Sequence, residues 1–237
     1  MDEDAQAGLI LALGALALRL GLTDAHLAYI QPAMGPALAL AGAVLAVLGG
    51  VVLLRRGRND AVAHAHDGHD HARSSRIGWL LVAPILAIAV VAPSPLGAFA
   101  ANRAPTTLPT RRDFGPLPAA TAGSVDLPLT EFVGRAVYDQ GRSLHGVPVR
   151  LVGFATPDAR GDGFLLTRFV IRCCAADARP VRVAVGGAQP PWPAPDTWLE
   201  VTGTWRPEPR TAEDTRPPVL DLTGLRTVPP PANQYVR

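Results

Sequence analysis

Two cysteines stand side by side in "LLTRFVIRCCAADARP", and this chain of 237 residues has no others. Successive side chains of a strand face opposite ways, so strand pairing carried through Cys174 would separate the two sulfurs. A strand that ends at Arg172 would instead leave Cys173 and Cys174 together on a turn with Asp177. Two thiolates and a carboxylate are ligands for zinc or another divalent transition metal. The same pair could close a vicinal disulfide, although its Cα atoms would lie about 3.8 Å apart, below the usual disulfide range. A third reading treats the sulfurs as small buriable groups with a structural role. All three remain open at this level.

A metal site needs more donors than these. His145 is the only histidine in the C-terminal half, and it supplies a fourth ligand if the fold brings the start of "GVPVRLVGFA" to the cysteine turn; otherwise it is an exposed loop histidine. Arg168, in "LTRF", reads either as a rim arginine paired with Asp177 or Asp162, worth at most about 1 kcal/mol if exposed, or as a contact to a partner protein.

The densest chemical signal lies elsewhere, in "HAHDGHDH". His64, His66, His69 and His71 alternate with Asp67 and Asp70 on a short polar tether. Neutral imidazole suits zinc, copper or nickel, so weak, exchangeable metal binding is one reading and a solvated linker the other. Nothing there fixes a tight geometry.

Several classes of function are disfavoured. Net charge is +2 with no lysine, and the arginines are interspersed with acids rather than forming the basic stripe that phosphate backbones require, so nucleic acid is not an expected partner. There is no phosphate-cradling glycine loop, nucleophile elbow or His-Glu-x-x-His signature. A nucleophile built from either cysteine and His145 would need a thiolate-stabilising environment that the sequence does not display. The chain is therefore expected not to be an enzyme.

The elements that position these groups divide into two halves. An apolar share of 48 % is concentrated in three blocks at about 7–22, 34–54 and 77–100. The second, "MGPALALAGAVLAVLGGVVLL", carries no charge over about 20 residues, enough to cross a hydrocarbon core of about 30 Å. The third has Trp79 at an interfacial position, Pro84 within it, and Pro93 and Pro95 near its end. The first is shorter, with Arg19 placed to snorkel. The acidic "MDEDAQ" ahead of it argues against a cleaved leader. Arg55, Arg56, Arg58, Arg73 and Arg76 crowd the loop 55–76, which by the positive-inside rule lies in the cytoplasm; three spans then put the C-terminal half outside, in a multi-pass protein of the cell membrane.

Residues 101–128 read as a Pro-rich linker, and 129–237 as a small β domain. Leu129, Phe132, Val133, Ala136 and Val137 sit at helical spacing. Five runs follow with partial alternation and many β-branched residues: "GVPVRLVGFA", "GFLLTRFVIRCC", "PVRVAVGG", "TWLEVTGTW" and "RPPVLDLTGL". Five short strands favour an all-β, OB-like five-stranded barrel with one short helix, a generic sandwich being the alternative. No aromatic ladder lines a basic groove.

The segments "LLTRFVIRCCAADARPV", "GVPVRLVGFA", "TWLEVTGTW" and "PPANQYVR" resemble the YcgQ family of bacterial membrane proteins. The N-terminal half resembles it through "LAYIQPAMGPALALAG", the histidine-rich loop and "WLLVAPILAIAVVAP". The chain departs from the family's pattern at Asn233, Gln234 and Arg237. The resemblance implies a subunit of a two-component permease, partnered by a multi-span YcgR-type protein, with no substrate specified. Function is thus expected to be that of an accessory permease subunit with an extracytoplasmic binding or docking domain. A redox- or metal-sensing membrane protein switched by the cysteine pair is the alternative.

Overall fold

The computed structural model describes residues 3–63, 94–158, 163–211 and 214–236. Two compact units make up the chain, Met1–Ser94 and Pro95–Arg237. In the first, helix α1 (Glu3–Leu22) and helix α2 (Gly35–Ala63) form a hairpin joined by two short 3-10 turns. The stretch Pro32–Arg56 is long and apolar enough to cross a membrane, and Gln6–Leu22 is a shorter apolar helix. Leu40, Val47 and Leu54 of α2 are largely exposed, as side chains facing acyl chains would be. Facing glycines draw the two helices together: a Cβ added at Gly42 or Gly49 would come within 3.0 Å of α1 backbone. Small residues at a helix contact let backbones approach closely where lipid removes the hydrophobic drive for association.

Among the described residues, one helix has the length and apolarity of a span, where three spans were expected for the chain. The expected third block lies outside the described residues up to position 93. Its last residues belong to the second unit, because helix α3 (Ala98–Arg103) starts after Gly97, with Ala98 and Ala101 buried. The helix α2 also runs through Ala63, so the start of the expected loop 55–76 is helical. His64, His66, Asp67, His69, Asp70 and His71 fall outside the described residues.

The second unit is a mixed sheet of seven strands: β1 (Val125–Asp126), β2 (Pro148–Pro157), β3 (Phe164–Val170), β4 (Arg179–Gly186), β5 (Trp198–Trp205), β6 (Val219–Thr227) and β7 (Tyr235–Val236). The five longer strands fall on the five alternating runs. The two additional strands were not legible, since two residues carry no period. Along β2, Pro148–Phe154 pairs with β5, and Phe154–Pro157 pairs with β3. Strand β3 pairs with β4, β4 runs parallel to β6, and β6 pairs with β5, so these pairings return to β2. Gly153 sits where β2 changes partners; a Cβ there would meet the Thr167 carbonyl at 2.8 Å.

Helix α4 (Leu129–Tyr138) lays Phe132, Val133, Ala136 and Val137 onto the sheet's main core, with Leu151, Leu166, Val181, Val183 and Leu220. Its sequence alternates apolar and polar residues with the helical period, which gives it one face to bury. A second cluster of Phe154, Phe169, Ile171, Trp198 and Tyr235 packs with Ala98 and Ala101 of α3.

Residues 104–118, expected to be part of a linker, are a strap packed on this unit. Thr107 N–H donates to the Pro180 carbonyl at 2.9 Å, and the Tyr138 hydroxyl donates to the Pro109 carbonyl at 2.9 Å. Leu108 and Leu117 pack against the main core. Proline and threonine composition argues for an extended backbone. It does not reveal whether that backbone finds donors on a neighbouring surface, and here it does.

Candidate functional site

Strand β3 ends at Val170, and the chain turns through Arg172, Cys173 and Cys174 into a 3-10 turn, Ala175–Asp177, before β4 begins at Arg179. The turn is held by its own acid. Asp177 Oδ1 accepts the Arg172 N–H and Oδ2 accepts the Cys173 N–H, both at 2.9 Å. Side chain to backbone bonds of this kind are why aspartate ends turns as well as begins them. Both cysteines therefore leave the strand and lie on the turn, Cys173 exposed and Cys174 half-buried, each with a free thiol. Their sulfurs are 3.6 Å apart. One ligand atom from each of Cys173, Cys174 and Asp177 lies within 4.8 Å of the others.

The carboxylate and the neighbouring thiol set the electrostatics of Cys173. A hydrogen bond to the Asp177 carboxylate, with a further one to Cys174, pushes the Cys173 thiol up to about 11. Asp177 itself is held below the ordinary carboxylate range, first by the Arg172 N–H. A carboxylate beside a thiol opposes the thiolate, and a dication bound to all three would reverse that opposition. In the metal-free protein, alkylation of Cys173 by iodoacetamide is expected to be roughly ten- to a hundredfold slower at neutral pH than for an ordinary thiol. The sign follows from the raised value: the thiolate fraction grows only as pH climbs toward 11. Asp177→Asn removes the opposing charge and should raise the neutral-pH rate several-fold, read by mass spectrometry of the cysteine peptide. Equal rates in the two proteins would contradict the assigned cause.

His145 does not join these donors. It caps the 3-10 turn Arg142–Leu144 and is exposed ahead of β2. The β2–β3 pairing stops at Phe154 opposite Thr167. Beyond that point β1 takes the edge of β2 at Val149 and Arg150, while β7 takes the edge of β3 at Phe169 and Val170. The two strands diverge, which separates the start of β2 from the end of β3.

Arg168 is not an exposed rim residue and does not pair with Asp177. It is 8 % exposed, donates to the carbonyls of Asn233 at 3.0 Å and Tyr235 at 3.4 Å, and its guanidinium lies 5.0 Å from the Trp198 ring centre. Burial lowers its pKa to about 10, still charged at neutral pH. Arg168 thereby ties β7 to β3, a structural duty. Asp162 lies outside the described residues.

Two further arginines are buried in this unit. Arg182, 8 % exposed, donates to the Ala104 carbonyl at 3.0 Å and also to the Ala101 carbonyl and the Thr106 hydroxyl. Arg135, 2 % exposed, donates to Glu131 at 2.7 Å and to the Gly115 carbonyl at 3.0 Å. Their sequence signal is an arginine inside an apolar run, "PVRVAV" and "VGRAV", where a strand or helix face has no room for a solvated cation unless acceptors come to it.

Residues 132–237 match the family described as DUF1980 C-terminal domain, an uncharacterised family. The matched stretch takes in most of α4, six of the seven strands and the cysteine turn. No curated protein and no solved structure matches the chain.

Proposed function

We propose that this protein is a membrane-anchored accessory subunit of a permease, and that its C-terminal unit captures a soft divalent cation on Cys173, Cys174 and Asp177. The observation that carries the metal part is the convergence of three ligand atoms within 4.8 Å on one exposed turn. Thiolates select soft or borderline cations, and three donors from a five-residue segment leave a coordination position open. Such an open site suits capture and transfer better than structural sealing. The histidine-rich segment, with His64, His66, His69 and His71, would offer weaker imidazole sites on the cytoplasmic side of a three-span anchor, with the C-terminal unit outside.

The pairing ring of β2, β5, β6, β4 and β3 supports reading the C-terminal unit as OB-like. The resemblance to the YcgQ family supports the permease role and a multi-span YcgR-type partner. A second reading, a thiol-based redox sensor, draws on the 3.6 Å separation of the sulfurs.

Cadmium tests the metal assignment, because its bond to thiolate gives an ultraviolet absorption that imidazole does not. The chelator-treated full chain in detergent should bind one cadmium with that absorption, and Cys173→Ser with Cys174→Ser should weaken this binding at least a hundredfold. Asp177→Ala should weaken it less. Sulfur-free cadmium spectra, or thiols that titrate only after a reductant is added, would reject capture and favour the redox reading. Co-purification of a multi-span protein separates a transport subunit from a stand-alone sensor.

A further inference from the structure

Two guanidiniums flank the cysteine turn, Arg172 at its start and Arg179 at its end. Both line a cleft of about 310 Å³, together with Thr107 and Thr110 of the strap and with Asp177. The hydrogen-bonding groups of this cleft are unbalanced. Each guanidinium offers five N–H donors, and each threonine hydroxyl can donate as well. The acid in the lining is Asp177, and both its oxygens already accept backbone N–H groups of the turn.

Elsewhere in the unit, Arg135, Arg142, Arg150, Arg206, Arg216 and Arg226 each pair with a carboxylate. Among the described residues, Arg172 and Arg179 form no such pair. A donor-rich concavity with two uncommitted forked cations is complementary to a small, acceptor-rich anion, since guanidinium matches the two oxygens of a carboxylate or phosphate in one plane.

We propose that this cleft binds a small free oxyanion, of carboxylate or phosphate type, between Arg172 and Arg179. Asp177 both lines this cleft and belongs to the Cys173, Cys174 and Asp177 ligand set, so an anion bound there would lie beside the captured cation and supply its remaining ligand. The cation would then be handled together with its anion. This second part rests on the proposed metal capture, whereas the anion site stands without it.

The test uses the full chain in detergent, freed of metal by chelation, at about 150 mM salt so that diffuse surface attraction is screened. Malonate and inorganic phosphate are titrated separately by calorimetry. One saturable site is expected for at least one of them, and whichever binds more tightly identifies the carboxylate or the phosphate class. Arg172→Gln with Arg179→Gln should weaken that binding at least tenfold while circular dichroism stays unchanged. Cys173→Ser with Cys174→Ser should leave it intact, so failure of metal capture does not mimic failure of the anion site. In cadmium-loaded protein the anion should bind at least fivefold more tightly, and the double glutamine variant should lose that gain. No saturable binding of either probe, or equal binding by the double glutamine variant, overturns the site. Anion binding that cadmium leaves unchanged overturns the shared coordination.

Discussion

Arg182→Ala is expected to destabilise the C-terminal unit by about 3 kcal/mol and to detach the strap at 104–118. The side chain is almost fully buried and satisfies the Ala101 and Ala104 carbonyls and the Thr106 hydroxyl. Hydrogen bonds from a charged donor contribute roughly 1.5–3 kcal/mol each, and removing the donor leaves buried acceptors unpaired. Part of that gain is offset by the cost of burying a guanidinium, which is also what lowers its pKa. The remaining loss should lower the melting temperature by roughly 6–12 °C for a unit of this size. New proteolytic cuts should appear within the strap. Arg182→Met separates the causes: it keeps much of the apolar stem but not the donors, so it should still release the strap. An unchanged melt and cleavage pattern in both variants would show that the strap is held by its own apolar contacts, Leu108 and Leu117.

Gly42→Leu or Gly49→Leu should open the helical hairpin of the first unit, while Gly50→Leu should not. A Cβ at Gly49 would sit 2.7 Å from the Leu11 nitrogen, and one at Gly42 would strike the backbone of Leu18; at Gly50 there is nothing within 4 Å. Backbone cannot give way as a side chain can, so the helices must separate toward the 8–10 Å axis spacing of ordinary packing, a shift of about 2 Å or more. Spin labels at Leu13 and Val47, in a background with Cys173 and Cys174 replaced by serine, would report that distance. Equal distances for the Gly49 and Gly50 variants would refute the close contact.

Much of this architecture is written in consecutive residues. The five alternating runs from "GVPVRLVGFA" to "RPPVLDLTGL" encode five strands, the spacing of Phe132, Val133, Ala136 and Val137 encodes α4, and the uncharged block at 34–54 encodes the long apolar helix. Each is a local period, carried by side chains that neighbour one another in the chain, so no knowledge of the fold is needed to read it. The cysteine pair with its nearby aspartate was visible for the same reason.

What the tertiary structure decided is where these local pieces meet. Whether Cys173 and Cys174 stay in the strand or leave it depends on Asp177 capturing the N–H groups of Arg172 and Cys173. Whether His145 reaches them depends on β1 and β7 taking the strand edges that would have kept β2 and β3 paired. Arg168 and Arg182 look alike in sequence, each an arginine in an apolar strand, yet one meets the carbonyls before and within β7 and the other the backbone of α3 and the strap. Those acceptors lie 65 and 78 residues away along the chain, and a buried cation's partner is set by which distant carbonyls the folded sheet turns toward it. Composition made 104–118 look like a free tether; the donors that bind it belong to other elements, and only folding brings them there.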